Sequence, residues 1–283
     1  MDVSIIIVNY NTKELLYDCI NSIYDKTQGV SFEIIVVDNA STDGSREFIN
    51  SNFKDLIWIQ SDVNLGFGAA NNLGAKHALG KYLFLLNSDT YLLNDAITEF
   101  YNYKIQNDSI DNNIGVLGCQ LVDREGCPNT AAGNLISPFN NRVITPVDGF
   151  KKVTEVGYVM GADMFLSKEV FDSVGGFDED FFMYCEEVDL QKRISELNRK
   201  NYIVTTPRIV HLEGASFKGT SKNLSFTKYI MWQKSRNIYA AKHFKGLKML
   251  FWKLEMALFN PRIIFRTNWS IKEKITAYRF SLH

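Results

Sequence analysis

Leu83-Phe84-Leu85-Leu86-Asn87-Ser88-Asp89-Thr90 is the stretch on which the fold turns. Its apolar run reads as a buried strand. The run stops at once in a short polar step carrying one carboxylate. In an open α/β sheet, ligands collect just beyond the carboxyl ends of the strands. A carboxylate held there can take one position on a divalent cation. Asp89 is therefore the candidate metal ligand. Asn, Ser and Asp are also ordinary turn residues, and taken alone the step reads as a strand-ending turn. Its neighbours decide otherwise.

Working outward toward the N-terminus, residues 3–8, 32–37 and 56–60 read as three further strands, rich in β-branched residues. Helical patterns cover about 13–26, a segment up to about 52, and a segment up to about 79. Thr12 is the expected cap of the first helix, and Ser41 or Thr42 of the second. A further helix is expected from 94 to about 106. Strands alternating with helices at such short intervals indicate βαβ units and a parallel sheet. The first strand exits in Asn9-Tyr10-Asn11-Thr12 and the second in Asp38-Asn39-Ala40-Ser41. With Asn87-Ser88-Asp89, polar chemistry gathers along one sheet edge, as a nucleotide site requires. There is no GxGxxG after the first strand and no GxxxxGK[ST]. Gly66-Phe67-Gly68 allows close backbone approach to a ligand at a helix start, or is a plain helix entry.

Working toward the C-terminus, residues 115–118 read as a short strand and 123–146 as loops. Residues 156–166 read as one long strand. Tyr202 to Thr205 and Ile209-Val210 read as a strand pair around Pro207. Between them, Asp178-Glu179-Asp180-Phe181-Phe182-Met183-Tyr184-Cys185-Glu186-Glu187-Val188-Asp189 interleaves six carboxylates with aromatics. A helix is expected from about 186 to 198, with Leu190, Ile194 and Leu197 inward. Two readings stand here on residue types alone. Acidic residues suit a helix N-terminus. Equally, one of them is a general base, its pKa raised by aromatic walls and an adjacent carboxylate. His211 becomes a second metal ligand only if it faces Asp89; otherwise it is structural.

The bulk properties bound these readings. At 283 residues, 46% hydrophobic and 22% charged, the chain is globular rather than disordered. No stretch approaches the roughly 20 apolar residues of a membrane span, and the first residues lack a signal-peptide pattern. The four cysteines have neither metal-ligand nor disulfide-framework spacing, so a cytoplasmic location is expected. The net charge of −1 conceals a split: 17 basic and 30 acidic residues precede Phe217, against 14 and 2 from there on. A basic tail of this kind meets something anionic. Leu247, Leu250, Phe251, Leu254 and Leu258 fall on one helical face, accompanied by Trp232, Trp252, Trp269 and a steady supply of Lys and Arg. That pattern suits an anionic bilayer surface; the competing reading is a helical lid on the catalytic part.

These motifs, in this order, resemble the inverting glycosyltransferases of family 2, with the GT-A fold, and among them the rhamnosyltransferase-like members. The resemblance runs from Val3 to Ser216, with weaker likeness near Arg236-Asn237. It implies an α/β fold with a mostly parallel, Rossmann-like central sheet flanked by helices. It implies a catalytic domain at 1–216, split into a nucleotide-sugar half (1–110) and an acceptor half (111–216), and a basic helical extension at 217–283. Asn9, Tyr10 and Asn11 match the first-strand exit that lines the nucleotide. Asp38 matches the acid that holds the pyrimidine, with Asn39 and Ser41 beside it. Asn64, Gly66, Phe67, Gly68 and Asn71 match an Asn-x-Gly-Phe-Gly segment. Asn87-Ser88-Asp89 stands at the DxD position, with Asn87 replacing the first Asp, so Asp89 supplies the only carboxylate. Glu186-Glu187 stands where relatives carry Glu-Asp, and the second position, Glu187, is the implied catalytic base. His211 matches a His that completes the metal site. The implied cofactor is Mg²⁺ or Mn²⁺. The implied partners are a dTDP- or UDP-sugar donor, a saccharide or lipid-linked acceptor and the inner face of a bacterial membrane, and not nucleic acid. A nucleotidyltransferase and a catalytically weak nucleotide-sugar-binding module are the competing readings. The first would need a basic, Gly-rich phosphate loop where Asn9-Tyr10-Asn11-Thr12 stands.

Overall fold

Val3 to Val8 are almost all buried, and no polar side chain interrupts them except Ser4, which hydrogen-bonds to Glu33. Such a run is stable only with helices on both sheet faces, and that is what the computed structural model shows. It describes residues 1–111, 113–140, 143–144, 149–212, 224–259 and 269–282. The elements of the first half are β1 (Val3–Asn9), α1 (Lys13–Lys26), β2 (Phe32–Asn39), α2 (Ser45–Asn52), β3 (Ile57–Ser61), α3 (Phe67–Ala75), β4 (Tyr82–Asn87), β5 (Thr90–Leu92) and α4 (Ala96–Asp111). Then come β6 (Ile114–Cys119), β7 (Ala132–Gly133), β8 (Val143–Ile144), β9 (Thr154–Val156), β10 (Tyr158–Val159), β11 (Asp163–Ser167), α5 (Lys168–Ser173), α6 (Glu186–Ser195), β12 (Lys200–Val204) and β13 (Ile209–His211). The tail contributes α7 (Leu224–His243), α8 (Gly246–Phe259) and α9 (Ile271–Leu282).

The central sheet has eight strands in the order β3-β2-β1-β4-β11-β6-β12-β9. The pairs β1·β2, β1·β4, β2·β3 and β6·β12 are parallel; β11 runs antiparallel to both neighbours and β9 to β12. One core layer packs α1 and α4 side chains such as Ile20 and Phe100 against Ile5 and Phe84. The opposite layer packs α3 and α6 side chains such as Ala70 and Leu190 against Ile6 and Leu85.

Several local expectations are corrected. Residues 156–166 are not one strand. Tyr158–Val159 belongs to a three-stranded sheet with β7 and β8, whereas Asp163–Ser167 joins the central sheet. The break at Met160-Gly161-Ala162 lets the chain cross between sheets. Residues around Pro207 do not pair with each other either. β12 lies in the central sheet, and β13 pairs with β5. Leu197 lies past the end of α6 and is 47% exposed. The expected domain boundary at 216/217 lies outside the described residues. The tail helices pack on the rest of the chain through Tyr239, Ala240, Phe244, Trp252 and Met256, which cluster with Phe181 and Val188. Trp252 and Trp269 are buried, so neither is free to anchor in a bilayer. No described helix is long and apolar enough to cross a membrane.

One glycine fixes how the acidic segment meets the sheet. Gly66 has φ +83°, and a Cβ there would lie 2.2 Å from the Phe182 carbonyl oxygen. Left-handed backbone and a backbone clash both oppose any side chain. Gly66→Ala is expected to cost about 1–3 kcal/mol from backbone strain alone. Thermal melting checks this; an unchanged Tm would show that the segment yields freely.

Candidate active site

Each strand exit is pinned by its own polar side chains. Asn9 donates to Asp38 Oδ1 (2.6 Å) and Ser41 Oγ (3.0 Å), and accepts from Thr12 Oγ1 (2.6 Å). The Ser88 hydroxyl lies 2.8 Å from Thr12 Oγ1, and this hydroxyl–hydroxyl bond ties the first exit to the fourth. Thr12 sits at the cap position of α1, but its side chain makes no capping bond. Asp43 takes that role instead: it accepts from the backbone N–H of Lys13 (3.0 Å) and of Ser45 (3.1 Å), so one carboxylate serves the starts of both α1 and α2. Asn39 is the staple of the third exit. It donates to Asn64 Oδ1 (3.0 Å) and the Gly66 carbonyl (3.1 Å) and accepts from Leu65 N–H (2.8 Å).

The step that opened the sequence reading sits between two sheets. β4 ends at Asn87 and β5 begins at Thr90, so Ser88 and Asp89 form the turn between them. β5 pairs with β13, and Thr90 lies opposite His211. The Leu212 N–H donates to the Asp89 carbonyl at 2.9 Å. This ribbon brings a histidine from far along the chain to Asp89: His211 Nε2 lies 3.4 Å from Asp89 Oδ1 and 3.5 Å from Asn87 Nδ2. Adjacent oxygen ligands of an octahedral Mg²⁺ bonded at about 2.1 Å stand roughly 3 Å apart. The Asp89–His211 spacing is therefore compatible with a shared divalent ion. Among the described residues no group of three or more His, Cys, Asp and Glu converges on such a site. A two-donor protein set suits an ion whose remaining positions are filled by substrate phosphates and water.

The six carboxylates of the acidic segment sort cleanly. Asp178 and Asp180 both take Lys242 of α7, at 2.6 and 2.7 Å. Asp189 is held by Arg193 (2.6 Å) and His243 (2.7 Å). Glu179 accepts from Asn72, which also clasps the backbone of Phe177. Glu186 and Glu187 differ: each has a buried Oε2 with no hydrogen-bond partner. Tyr184 and Cys185 just before them adopt left-handed φ values of 71° and 65°. Two such non-glycine residues in succession store strain, which persists where the surroundings over-determine it, commonly at functional sites. Burial pushes the Glu187 carboxyl up to about 7, against backbone N–H bonds that pull it down. Burial and the neighbouring Glu187 charge push Glu186 up further. Proton loss from such a pair belongs to both groups. Glu187 is the partly exposed member of the pair and Glu186 the buried one.

These parts share one cleft of about 980 Å³, lined by Tyr10, Asn11, Asn39, Asn64, Gly66, Phe67, Asn87, Ser88, Asp89, Glu186, Glu187 and His211 among others. That volume suits a nucleotide-sized ligand. Tyr10 and Phe182, 46% and 43% exposed, offer aromatic faces to it. Asn9, Asp38, Gly68 and Asn71 do not reach the wall. Asp38 is 2% exposed, and its oxygens already accept from Asn9, Ser41 and Gln60. Gly68 gives room to Phe177, and Asn71 donates to the Phe67 carbonyl. Several lining residues escaped the sequence reading: Thr42, Asp43, Met160 to Ala162, and Lys228 and Met231 from α7. The acidic turn after β2 could have flagged Asp43. Nothing local in a basic tail helix marks Lys228 and Met231 as the residues that turn into a distant cleft.

Known proteins place this geometry in a family. Residues 4–175 match the sequence profile described as glycosyl transferase family 2. The chain is 30% identical over 207 residues to the low-salt glycan biosynthesis hexosyltransferase Agl10 of Haloferax volcanii, covering 70% of this chain and 62% of that protein. It is 37% identical over 98 residues to the UDP-Glc:α-D-GlcNAc-diphosphoundecaprenol β-1,3-glucosyltransferase WfaP of Escherichia coli, covering 34% of this chain and 38% of that one. It thus spans under two thirds of the length of either relative. Among solved structures, the mannosyltransferase PcManGT of Pyrobaculum calidifontis, in complex with GDP-Man and Mn²⁺, matches with a TM-score of 0.60 at 16% identity, over 97% of this chain and 73% of that one. That likeness speaks to the fold alone; the sequence match over more than half of the chain speaks to descent. With a GT-A sheet and a polar cleft at its strand ends, this chain belongs to glycosyl transferase family 2.

Proposed function

We propose that the chain transfers a sugar from a nucleotide-diphosphate donor to a hydroxyl of a lipid-linked or growing surface polysaccharide, with inversion at the anomeric carbon. The observation that carries this reading is the pair of buried carboxyl oxygens on Glu186 and Glu187, left without partners in the cleft that also holds Asp89 and His211. A buried carboxylate without a partner costs free energy, and is retained where its basicity is used. In this reading Glu187 takes the proton from the acceptor hydroxyl. The freed oxygen attacks the anomeric carbon as its bond to the diphosphate breaks, and no sugar–enzyme bond forms. Glu186 stands beside it, its carboxyl pushed up by burial and by the Glu187 charge. Asp89 and His211 would hold Mg²⁺ or Mn²⁺, which supplies charge neutralisation on the departing diphosphate. The Mn²⁺ in the mannosyltransferase complex supports a divalent ion.

The donor side comprises Tyr10, Asn11, Asn39, Asn64, Gly66, Phe67, Asn87 and Ser88. Asn9, Asp38, Gly68 and Asn71 support them from behind the wall in this reading. A dTDP- or UDP-sugar, with a rhamnose-like hexose, is the proposed donor; the likeness of the Asn64–Phe67 segment to rhamnosyltransferase-like members supports it. The catalytic part would comprise 1–216 and the extension 217–283. The lipid-diphosphate acceptor in the name of the Escherichia coli relative supports an acceptor at the cytoplasmic face of a membrane. The test is a panel of nucleotide sugars with and without Mn²⁺. The matching donor at 100 times its Kd is expected to stabilise the fold by about 2.7 kcal/mol, seen as a raised Tm. NMR of the transferred sugar should then show inverted anomeric configuration. Retention would defeat the single displacement, and silence from every donor would defeat the transferase reading.

The same carboxyl sets the pH profile. A base must be deprotonated, and burial holds Glu187 protonated up to about pH 7. The transfer rate is therefore expected to climb through about pH 7 and level off above it. A flat rate from pH 5 to 8 would remove Glu187 from the base role.

A further inference from the structure

We infer that the outer face of α8 lies in the headgroup layer of an anionic membrane; this rests on the proposed use of a membrane-borne acceptor. The helix has two apolar faces. Trp252 and Met256 turn inward, 3% and 4% exposed, against Tyr239 and Phe244. Leu247, Leu250, Phe251, Leu254 and Leu258 turn outward, with exposures of 71%, 59%, 48%, 46% and 59%. At about 100° per residue they occupy one arc, and Lys248 and Lys253 flank it, one on each side, about 60° beyond its ends. Both lysines are exposed, and the Lys248 ammonium rests 4.5 Å from the Phe244 ring centre. Single exposed leucines need no explanation, but a continuous row of them marks an interaction surface.

The charge around this row selects the occupant. The tail's two acids are both engaged in protein contacts: Glu255 is buried, accepting from Phe139 N–H and Arg236, and Glu273 accepts from Ser270 at the start of α9. α9 repeats the pattern, with Ile271, Ile275 and Tyr278 exposed alongside Lys272 and Arg279. A second copy meeting this face through its own α8 would set lysine against lysine. Lipid phosphates present the opposite sign at the depth where lysine side chains end. A helix of 14 residues is about 21 Å long, too short to span a bilayer but suited to lying in its surface.

The test is co-sedimentation of the full chain, with no nucleotide sugar present, with phosphatidylcholine vesicles containing roughly one-third phosphatidylglycerol. Binding is expected there, and weaker binding to pure phosphatidylcholine. L250E/L254E should weaken it by about tenfold or more, and K248A/K253A by about fivefold per lysine at low salt. All four side chains face solvent, so Tm and donor-induced stabilisation should hold. Equal sedimentation of L250E/L254E, or no binding by the parent chain, would overturn the inference. So would a lipid-free dimer that L250E/L254E converts to monomer, which would give the face to a second copy. Transfer to a soluble acceptor without vesicle binding would defeat this inference and leave the sugar-transfer reading; vesicle binding without donor stabilisation would do the reverse.

Discussion

Glu187→Gln is expected to lower the sugar-transfer rate by about 10²–10⁴-fold while nucleotide-sugar binding survives. The substitution keeps the volume and one acceptor oxygen of the side chain. It removes the ability to take a proton. It also removes the like charge beside Glu186, whose carboxyl is pushed up by burial and by Glu187. The sign on stability follows from linkage. Two buried carboxyls with raised values bind protons in the native chain at a pH where the unfolded chain has lost them. Stability therefore falls as pH rises from the ordinary carboxylate range through about 7. Glu187→Gln removes part of that fall, so its Tm at pH 8 should match or exceed that of the parent. Single-turnover transfer, donor titration and melting at two pH values check the three statements together. Near-parental turnover would strip Glu187 of its role. Loss of donor binding would mean that it holds the substrate rather than activating it.

Asp89→Ala has the second largest expected effect. Asp89 is 5% exposed and is the only carboxylate in the Asn87-Ser88-Asp89 step. With its removal His211 alone would remain of the proposed donor pair. Loss of a metal's charge stabilisation is worth several kcal/mol; about 3 kcal/mol corresponds to roughly 100-fold in rate. The Mn²⁺-dependent part of donor-induced stabilisation should vanish, while the metal-free part, carried by Asn39 and the Gly66 loop, remains. His211→Ala should give a smaller loss of the same kind. If Asp89→Ala keeps its Mn²⁺ response, the ion sits elsewhere.

Most of the sheet was legible because β1, β2 and β4 are apolar on both faces, a pattern that only a covered parallel sheet accommodates. The residues 156–166 misled because Val156, Tyr158, Val159 and Asp163 to Leu166 are individually good strand formers. What separates them is the turn at Met160-Gly161-Ala162, a tertiary decision without local signature. The cleft was legible in part. Strand exits announce themselves by composition, so Asn39, Asn64 and Asp89 could be found. Whether a residue faces the cleft or stands behind it depends on a single pleat or turn, and this is why Asn9 and Asp38 became supports instead of walls. In the tail, periodicity identified a face but not its neighbour. The row Leu247 to Leu258 has the spacing of a core-facing stripe, yet Trp252 and Met256 won the core and left that row outside. A helix with apolar residues on two sides does not reveal which side is inward.

The clasp between α7 and the acidic segment bears on how this protein comes apart. Lys242 and His243 hold Asp178, Asp180 and Asp189, and Ser235 donates to the Met183 carbonyl at 2.7 Å. Phe181 and Val188 share a cluster with Tyr239 and Phe244. Truncation before α7 would therefore strip the cover from the segment that carries Glu187 instead of releasing an independent appendage. Hydrogen exchange should report α7 and the start of α6 opening together, as one cooperative unit. A lineage could not exchange this tail for another without redesigning the Glu186–Glu187 segment that leans on it.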